Sequence, residues 1–207
     1  MIRKGQKISN EYKNQKIVNL LKNEYGDLSN MTILDAGGGH GYILNLLPDM
    51  KKKVVVDINK DNVSSDNYNI IANLSNLPFN DNSFDLCIFS EVIEHLDNPI
   101  PIVKELTRVS HNIILTTPNN CLSRKLLRRC LLYDDPDFVG DRHKDDDPLG
   151  KGHIKEYNSS EIIEIFNSVN FYLYRFEALG FVIPQLKIDC FPKLSAKMLM
   201  LFKKVGE

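Results

Sequence analysis

Asp35, Gly37, Gly39 and Gly41 stand in the run ILDAGGGHGYIL (33–44), where an apolar stretch meets an acid and then four glycines within five positions. Glycine costs backbone entropy, so the cluster implies either a tight turn or a backbone cleared for a close-lying ligand. A dinucleotide fingerprint counted from Gly37 needs a small residue at position 42, where Tyr42 stands. A phosphate loop needs Lys and then Ser or Thr after its last glycine, and His40-Gly41-Tyr42 is not that. An anionic Asp35 beside the loop disfavours a pyrophosphate and suits a cationic amine. Asp57 closes a second apolar run, and its two carboxylate oxygens can accept from two hydroxyl donors or cap the end of a strand.

A second constellation follows at SEVIEHL (90–96). If this stretch is helical, Glu91, Glu94 and His95 share one face by i, i+3, i+4 spacing. Two carboxylates and an imidazole there could ligate a divalent ion or hold an acid–base pair; alternatively His95 is a packed helix residue. His153 and Tyr157, four apart, either line an acceptor pocket or serve only to pack and cap. His153 or His95 could act as general base on an acceptor hydroxyl. His40, inside the glycine loop, faces ligand or solvent.

These groups need a frame. MTILDAG (31–37), KKVVVDI (52–58), YNIIANL (68–74), FDLCIFS (84–90) and NIILTTP (112–118) read as short buried strands. Between them, YILNLL reads as a helix stopped by Pro48, and NPIPIVKELTRVS (98–110) as a helix with apolar Ile102, Val103, Leu106 and Val109. A weakly amphipathic helix ending at Gly26 precedes them. Strands alternating with helices imply a parallel sheet covered on both faces, a doubly wound α/β domain whose ligands bind beyond the carboxyl ends of the strands. Later, SSEIIEIFNSVNF (159–171) reads as a helix capped by Ser159 or Ser160, and 171–179 and 196–205 as two late strands joined by a long connection. One domain spans 1–207, with 119–152 as an insertion or lid.

LDAGGGHG resembles the first motif of class I S-adenosylmethionine-dependent methyltransferases, and 77–99 is similar to that family's stretch around the fourth strand. The resemblance implies a Rossmann-like, mostly parallel seven-stranded sheet with an antiparallel last strand. It implies S-adenosyl-L-methionine as cofactor. Gly37, Gly39 and Gly41 would pass under the methionine moiety, Asp57 would hold the ribose and Ile58 would flank adenine. Asn73, with Leu74, matches the position where relatives place an Asp that accepts from the adenine amino group; the Asn73 carbonyl oxygen can still accept. Ser90 and Glu91 would fall near the methionine end. The stretch 91–95 also resembles the ExxEH run of small-RNA 2′-O-methyltransferases, which bind a metal there. GHIKEYNSSEI (152–162) instead resembles a His-x-x-x-Tyr segment of methyltransferases acting on lipids, glycans or natural products.

The formal charge of −1 gives no global argument for nucleic acid. The four cysteines include no CxxC pair, so neither a zinc ribbon nor a redox dithiol is indicated, and the usage suits a reducing cytoplasm. The first residues carry no apolar stretch behind their charges, and no run reaches the ~18 apolar residues of a membrane span. CLSRKLLRRCLLY (121–133) is basic and amphipathic. It reads as a solvated helix, a lid, or a peripheral surface for an anionic or lipid-linked acceptor. Three functions follow. The first is O-methylation of a small molecule or a glycan- or lipid-linked acceptor, with no metal and with His95, His153 and Glu91 as candidate catalytic residues. The second is a metal-assisted RNA 2′-O-methyltransferase, with Glu91, Glu94 and His95 as ligands. The third is a non-catalytic cofactor-binding module.

Overall fold

The computed structural model describes residues 4–62, 68–119, 154–179, 181–183, 186–188 and 197–206. Apart from Asn119, the expected insertion 119–152 with its basic stretch 121–133 lies outside them, as does His153. The first helix, α1 (Lys4–Tyr25), ends where Gly26 takes a φ of +67°. Strands β1 (Thr32–Ala36), β2 (Lys52–Asp57), β3 (Tyr68–Ile71), β4 (Phe84–Ser90) and β5 (Ser110–Pro118) follow, with α2 (Ile100–Val109) between β4 and β5. Next come α3 (Ser159–Asn167), β6 (Phe171–Leu179), a hairpin of β7 (Phe181–Ile183) and β8 (Leu186–Ile188), and β9 (Lys197–Lys204). Seven strands form one sheet in the order β3-β2-β1-β4-β5-β9-β6. All pairs from β3 to β5 are parallel, and β9 runs antiparallel to both β5 and β6.

Period-two alternation divides the side chains between two apolar layers. Leu34, Val54, Val56, Cys87, Phe89, Ile113 and Leu115 face α2 and α3, where Phe166 stacks on Phe202 with centroids 3.9 Å apart. Ile33, Val55, Leu86, Ile88 and Ile114 face the other way, onto Ile17, Val18, Leu20 and Leu21 of α1. The β-branched runs read as strands in the sequence are buried on both faces, as expected of a covered parallel sheet.

Four local expectations are corrected. After the glycine loop the expected helix shrinks to a 3₁₀ turn, Leu44–Leu46. Gly41 at φ +70° and Pro48 leave too little chain for more, while Ile43, Leu44 and Leu47 are still buried. The stretch after β4 is not a helix: Glu91 takes a left-handed φ of +58°, and only Ile93–His95 form a 3₁₀ turn. The long connection before β9 contains the β7–β8 hairpin. The N-cap of α3 is Asn158, one residue earlier than expected. Its side chain accepts from Glu161 N at 3.0 Å, and the Glu161 carboxylate accepts from Asn158 N at 2.9 Å. Such a capping box satisfies two donors at once. Asn158→Ala is therefore expected to lower the unfolding free energy by about 1 kcal/mol in urea melts, while Ser159→Ala changes it by a few tenths.

Candidate active site

The parallel strands all end on one edge, and β9, running the other way, begins there. That edge gathers Asp35, the glycine loop, Asp57, Ser90, Glu91 and Lys197. Gly37, Gly39 and Gly41 have φ of +73°, +54° and +70°, values that L side chains rarely adopt. Gly38 is required for a different reason. A Cβ on it would lie 2.4 Å from Asp35 Cγ, so its bare backbone is packed directly on that carboxyl group. The loop is tied down by Asp57: Oδ2 accepts from Gly39 N at 2.9 Å and Oδ1 from Asn59 N at 2.8 Å. Each oxygen keeps a lone pair for a further donor. Beside Asp57 lies a shallow open depression lined by Gly39, Asn59, Asn62, Asn69 and Ile71 among others.

Asp35 is 1% exposed, and its Oδ2 has no hydrogen-bond partner. Burial pushes its carboxyl up to about 7; Lys13 opposes this and Asp57 adds to it. A buried carboxylate with an unmet oxygen costs free energy unless a donor arrives. An amine donor meets that requirement, so the residues present fit a cofactor carrying an ammonium group.

Glu91, Glu94 and two threonines of β5 form the far side. Lys197 Nζ donates to Glu91 Oε2 at 2.6 Å, and the Thr116 hydroxyl donates to Glu91 Oε1 at 3.1 Å. Since the Thr116 proton is committed to Glu91, the Ser90 hydroxyl donates to Thr116 across 2.8 Å. Glu91 N donates to Thr116 O at 2.9 Å, which holds the left-handed backbone in place. Burial alone would raise the Glu91 carboxyl, but the Lys197 and Lys13 ammoniums hold it down to about 2. Glu94 is fully buried, accepts from Thr117 through Oε2, and has no partner at Oε1. Burial and the Glu91 charge push it up to about 8.

The remaining candidates are more dispersed. Ile58 is more than half exposed at the rim, and Leu74 is buried in the core. Asn73 Oδ1 accepts from Ser75 N at 3.0 Å and Ser75 Oγ at 2.9 Å, so it caps its own turn. His95 is half-buried. His40 is exposed, edge-on to Tyr42. Tyr157 is a buried ring in the core, with Lys155 over its face. Among the described residues no three His, Cys, Asp or Glu side chains group as a metal site. Sequence reasoning missed two residues. Gly38 was visible only as one more glycine, and Lys13 of α1 is 7% exposed, its proton affinity lowered by burial against the opposing pull of the Glu91, Glu94 and Asp35 carboxyls.

The fold and this edge define a doubly wound α/β domain with the glycine loop and its acids at the carboxyl ends of the parallel strands. Residues 34–112 match the methyltransferase domain family. A Mycolicibacterium smegmatis protein named “Probable S-adenosylmethionine-dependent methyltransferase” is 28% identical over 149 residues, covering 67% of this chain and 51% of that one. The chain spans only somewhat more than half the length of the curated relatives it matches. Magnesium protoporphyrin IX methyltransferase from Synechocystis, solved with bound S-adenosylhomocysteine, superposes with a TM-score of 0.67 at 15% identity, over 99% of this chain and 89% of that one. A Methanosarcina mazei S-adenosylmethionine-dependent methyltransferase gives 0.60 at 21% identity, over 90% and 98%. The family model thus matches the part of the chain that carries the glycine loop and strands β2 to β4, and the fold is the one these solved methyltransferases share.

Two outcomes follow. Gly38→Ala forces Asp35 or the loop to move, and is expected to destabilise by about 1–3 kcal/mol in denaturant melts. Glu91→Gln leaves Lys197 without its counter-charge and is expected to cost about 3–5 kcal/mol at pH 7. The Glu91 contribution is present above its ordinary value of 4.5 and is lost as pH falls toward about 2, so the variant's melting curve should change less over that interval than the parent's.

Proposed function

We propose that the protein is an S-adenosyl-L-methionine-dependent methyltransferase acting by in-line transfer on an oxygen of a small molecule or a glycan- or lipid-linked acceptor. The observation that carries the cofactor part is the glycine loop. Its backbone lies against the unmet carboxyl of Asp35 on one side and is tied to Asp57 on the other. The cofactor, when bound, supplies a methyl group already activated by a sulfonium. The chain's own task is positioning, which can supply most of the acceleration of a displacement reaction.

In this reading Asp57 accepts from the ribose hydroxyls with the lone pairs left over from Gly39 and Asn59. Gly37, Gly39 and Gly41 keep Cβ atoms out of the methionine path. Ile58 flanks the base, Asn73 with Leu74 borders its edge, and Ser90 lies toward the methionine end. A hydroxyl acceptor must lose a proton, and His95 or His153 is the base. Glu91, held down to about 2 and paired with Lys197, is a poor proton acceptor at neutral pH. Its place is that of a fixed negative charge at the edge of the site.

Calorimetric titration with S-adenosylmethionine and S-adenosylhomocysteine tests the cofactor assignment. Both are expected to bind the parent, and Asp57→Ala is expected to weaken both by a hundredfold or more while keeping the parent's circular dichroism. Absence of binding by the folded parent contradicts the assignment. Transfer of labelled methyl to hydroxylated acceptors, rising with pH and reduced in His95→Ala or His153→Ala, would support the oxygen acceptor; transfer only to amines or thiols would contradict it.

A further inference from the structure

Two residues near the C-terminus of α2 hold the chain between β3 and β4. Arg108 Nη1 donates to Phe79 O at 2.9 Å and to Asp81 Oδ1 at 2.7 Å. Its Nη2 donates to Leu77 O at 3.3 Å and to Glu105 Oε1 at 2.7 Å, and its Nε to Glu105 Oε2 at 2.9 Å. Glu105 Oε1 also accepts from Leu77 N at 2.8 Å. Leu77 is thus held at both its N–H and its carbonyl. The four residues before it form a turn closed on itself. Asn76 N donates to Asn73 O at 3.0 Å, and Asn73 Oδ1 accepts from both Ser75 N and Ser75 Oγ. The near end of that turn is tied to β2, where Ala72 N donates to Asp57 O at 3.2 Å. The turn 73–76 is therefore a unit slung between two fixed ends. Arg108 is a third exposed and its partner Asp81 more so. Ion pairs screened by water stabilise a fold little, whereas a guanidinium forked onto a carboxylate fixes geometry. The main effect of the pair is on where the turn stands.

We propose that Glu105 and Arg108 are positioning residues for base recognition: by holding Leu77 they set the 73–76 turn against the edge of the cofactor's base. The inference rests on the cofactor reading above, in which Asn73 with Leu74 borders that edge. Neither Glu105 nor Arg108 touches the ligand. They act through Leu77 and the closed turn, so α2 tunes which base is accepted from outside the pocket.

The test compares S-adenosylhomocysteine with S-inosylhomocysteine by calorimetry on the parent, Arg108→Met and Arg108→Lys, each checked for a cooperative urea melt. Hypoxanthine carries an oxygen where adenine carries its amino group and an N–H where adenine has a bare ring nitrogen. A turn fixed at that edge therefore tells the two apart, by about tenfold or more when a polar group is left mispaired. The parent is expected to prefer S-adenosylhomocysteine by that factor, and folded Arg108→Met to lose most of the preference. Arg108→Lys is expected to lose it too, because one ammonium cannot span Leu77, Phe79, Asp81 and Glu105 as the fork does. Should Arg108→Met fail to fold, Glu105→Gln, which replaces one acceptor of the fork with a donor, is expected to lower the preference in part. Folded variants that bind both ligands more weakly but keep the parent's preference overturn the proposal, since that is the result of a purely structural role. Full rescue by Arg108→Lys, or a parent without preference, overturns it as well. A parent that binds neither ligand instead overturns the cofactor reading.

Discussion

Asp35 is sealed from water at the end of β1 by the backbone of Gly38, and much of the site can be understood as a response to that carboxyl group. The lid over it has to be a residue without a Cβ, because a Cβ would sit 2.4 Å from Asp35 Cγ. The chain that forms this lid must turn sharply, which calls for left-handed backbone at Gly37, Gly39 and Gly41. The turn is then fixed from the neighbouring strand, where Asp57 takes the Gly39 N–H. A buried negative charge also favours positive charge nearby, and α1 brings Lys13 to it. Natural sites of this kind give up stability for function. Asp35 retains a proton in the folded chain up to about pH 7 that the unfolded chain sheds near its ordinary value of 3.8, so its burial makes folding less favourable as pH rises between those values.

The reversed strand β9 has a comparable role on the other side of the edge. Because it runs against β5, its first residue arrives where its neighbours' last residues lie, with Lys197 opposite Pro118. That places an ammonium beside Glu91, at the turn after β4. Glu91 takes a left-handed backbone that costs about 1–2 kcal/mol for an L residue. Its N–H bond to Thr116 O, the Thr116 hydroxyl and the Lys197 pair offset that cost. Ser90, Thr116, Glu91 and Lys197 thus form one continuous hydrogen-bonded row across β4, β5 and β9. Thr117, the next residue of β5, points to the opposite face of the sheet and takes up Glu94.

Much of this was legible in the sequence. The β-branched and apolar runs marked β1, β2, β4 and β5 closely, since a doubly covered strand reads as a short continuous apolar run. The loop was legible because glycine at alternate positions after an acid is rare without a backbone reason. The order of strands, and the reversal of β9 that places Lys197, have no local signature; the reversal was reached through the family resemblance. Glu91, Glu94 and His95 have helical spacing, yet the chain after β4 turns left-handed at Glu91, and nothing in SEVIEHL marks that. Asn158 was legible in hindsight, because Glu161 stands three residues after it and completes a capping box. Lys13 was not legible at all. It is one lysine among several in a polar stretch of α1, and only the packing of Ile17, Val18 and Leu21 on the sheet makes it a buried charge.

The central claim is that Asp35 is a buried carboxyl group waiting for a cationic donor. The most direct measurement is the proton balance of S-adenosylhomocysteine binding, obtained by calorimetry at pH 7 in buffers of different ionisation enthalpy. Near its titration midpoint of about 7, Asp35 holds a fraction of a proton that an arriving ammonium must displace. The account predicts proton release on binding at pH 7 that disappears in Asp35→Asn. Binding that exchanges no protons at pH 7, or a release unchanged in Asp35→Asn, would contradict it.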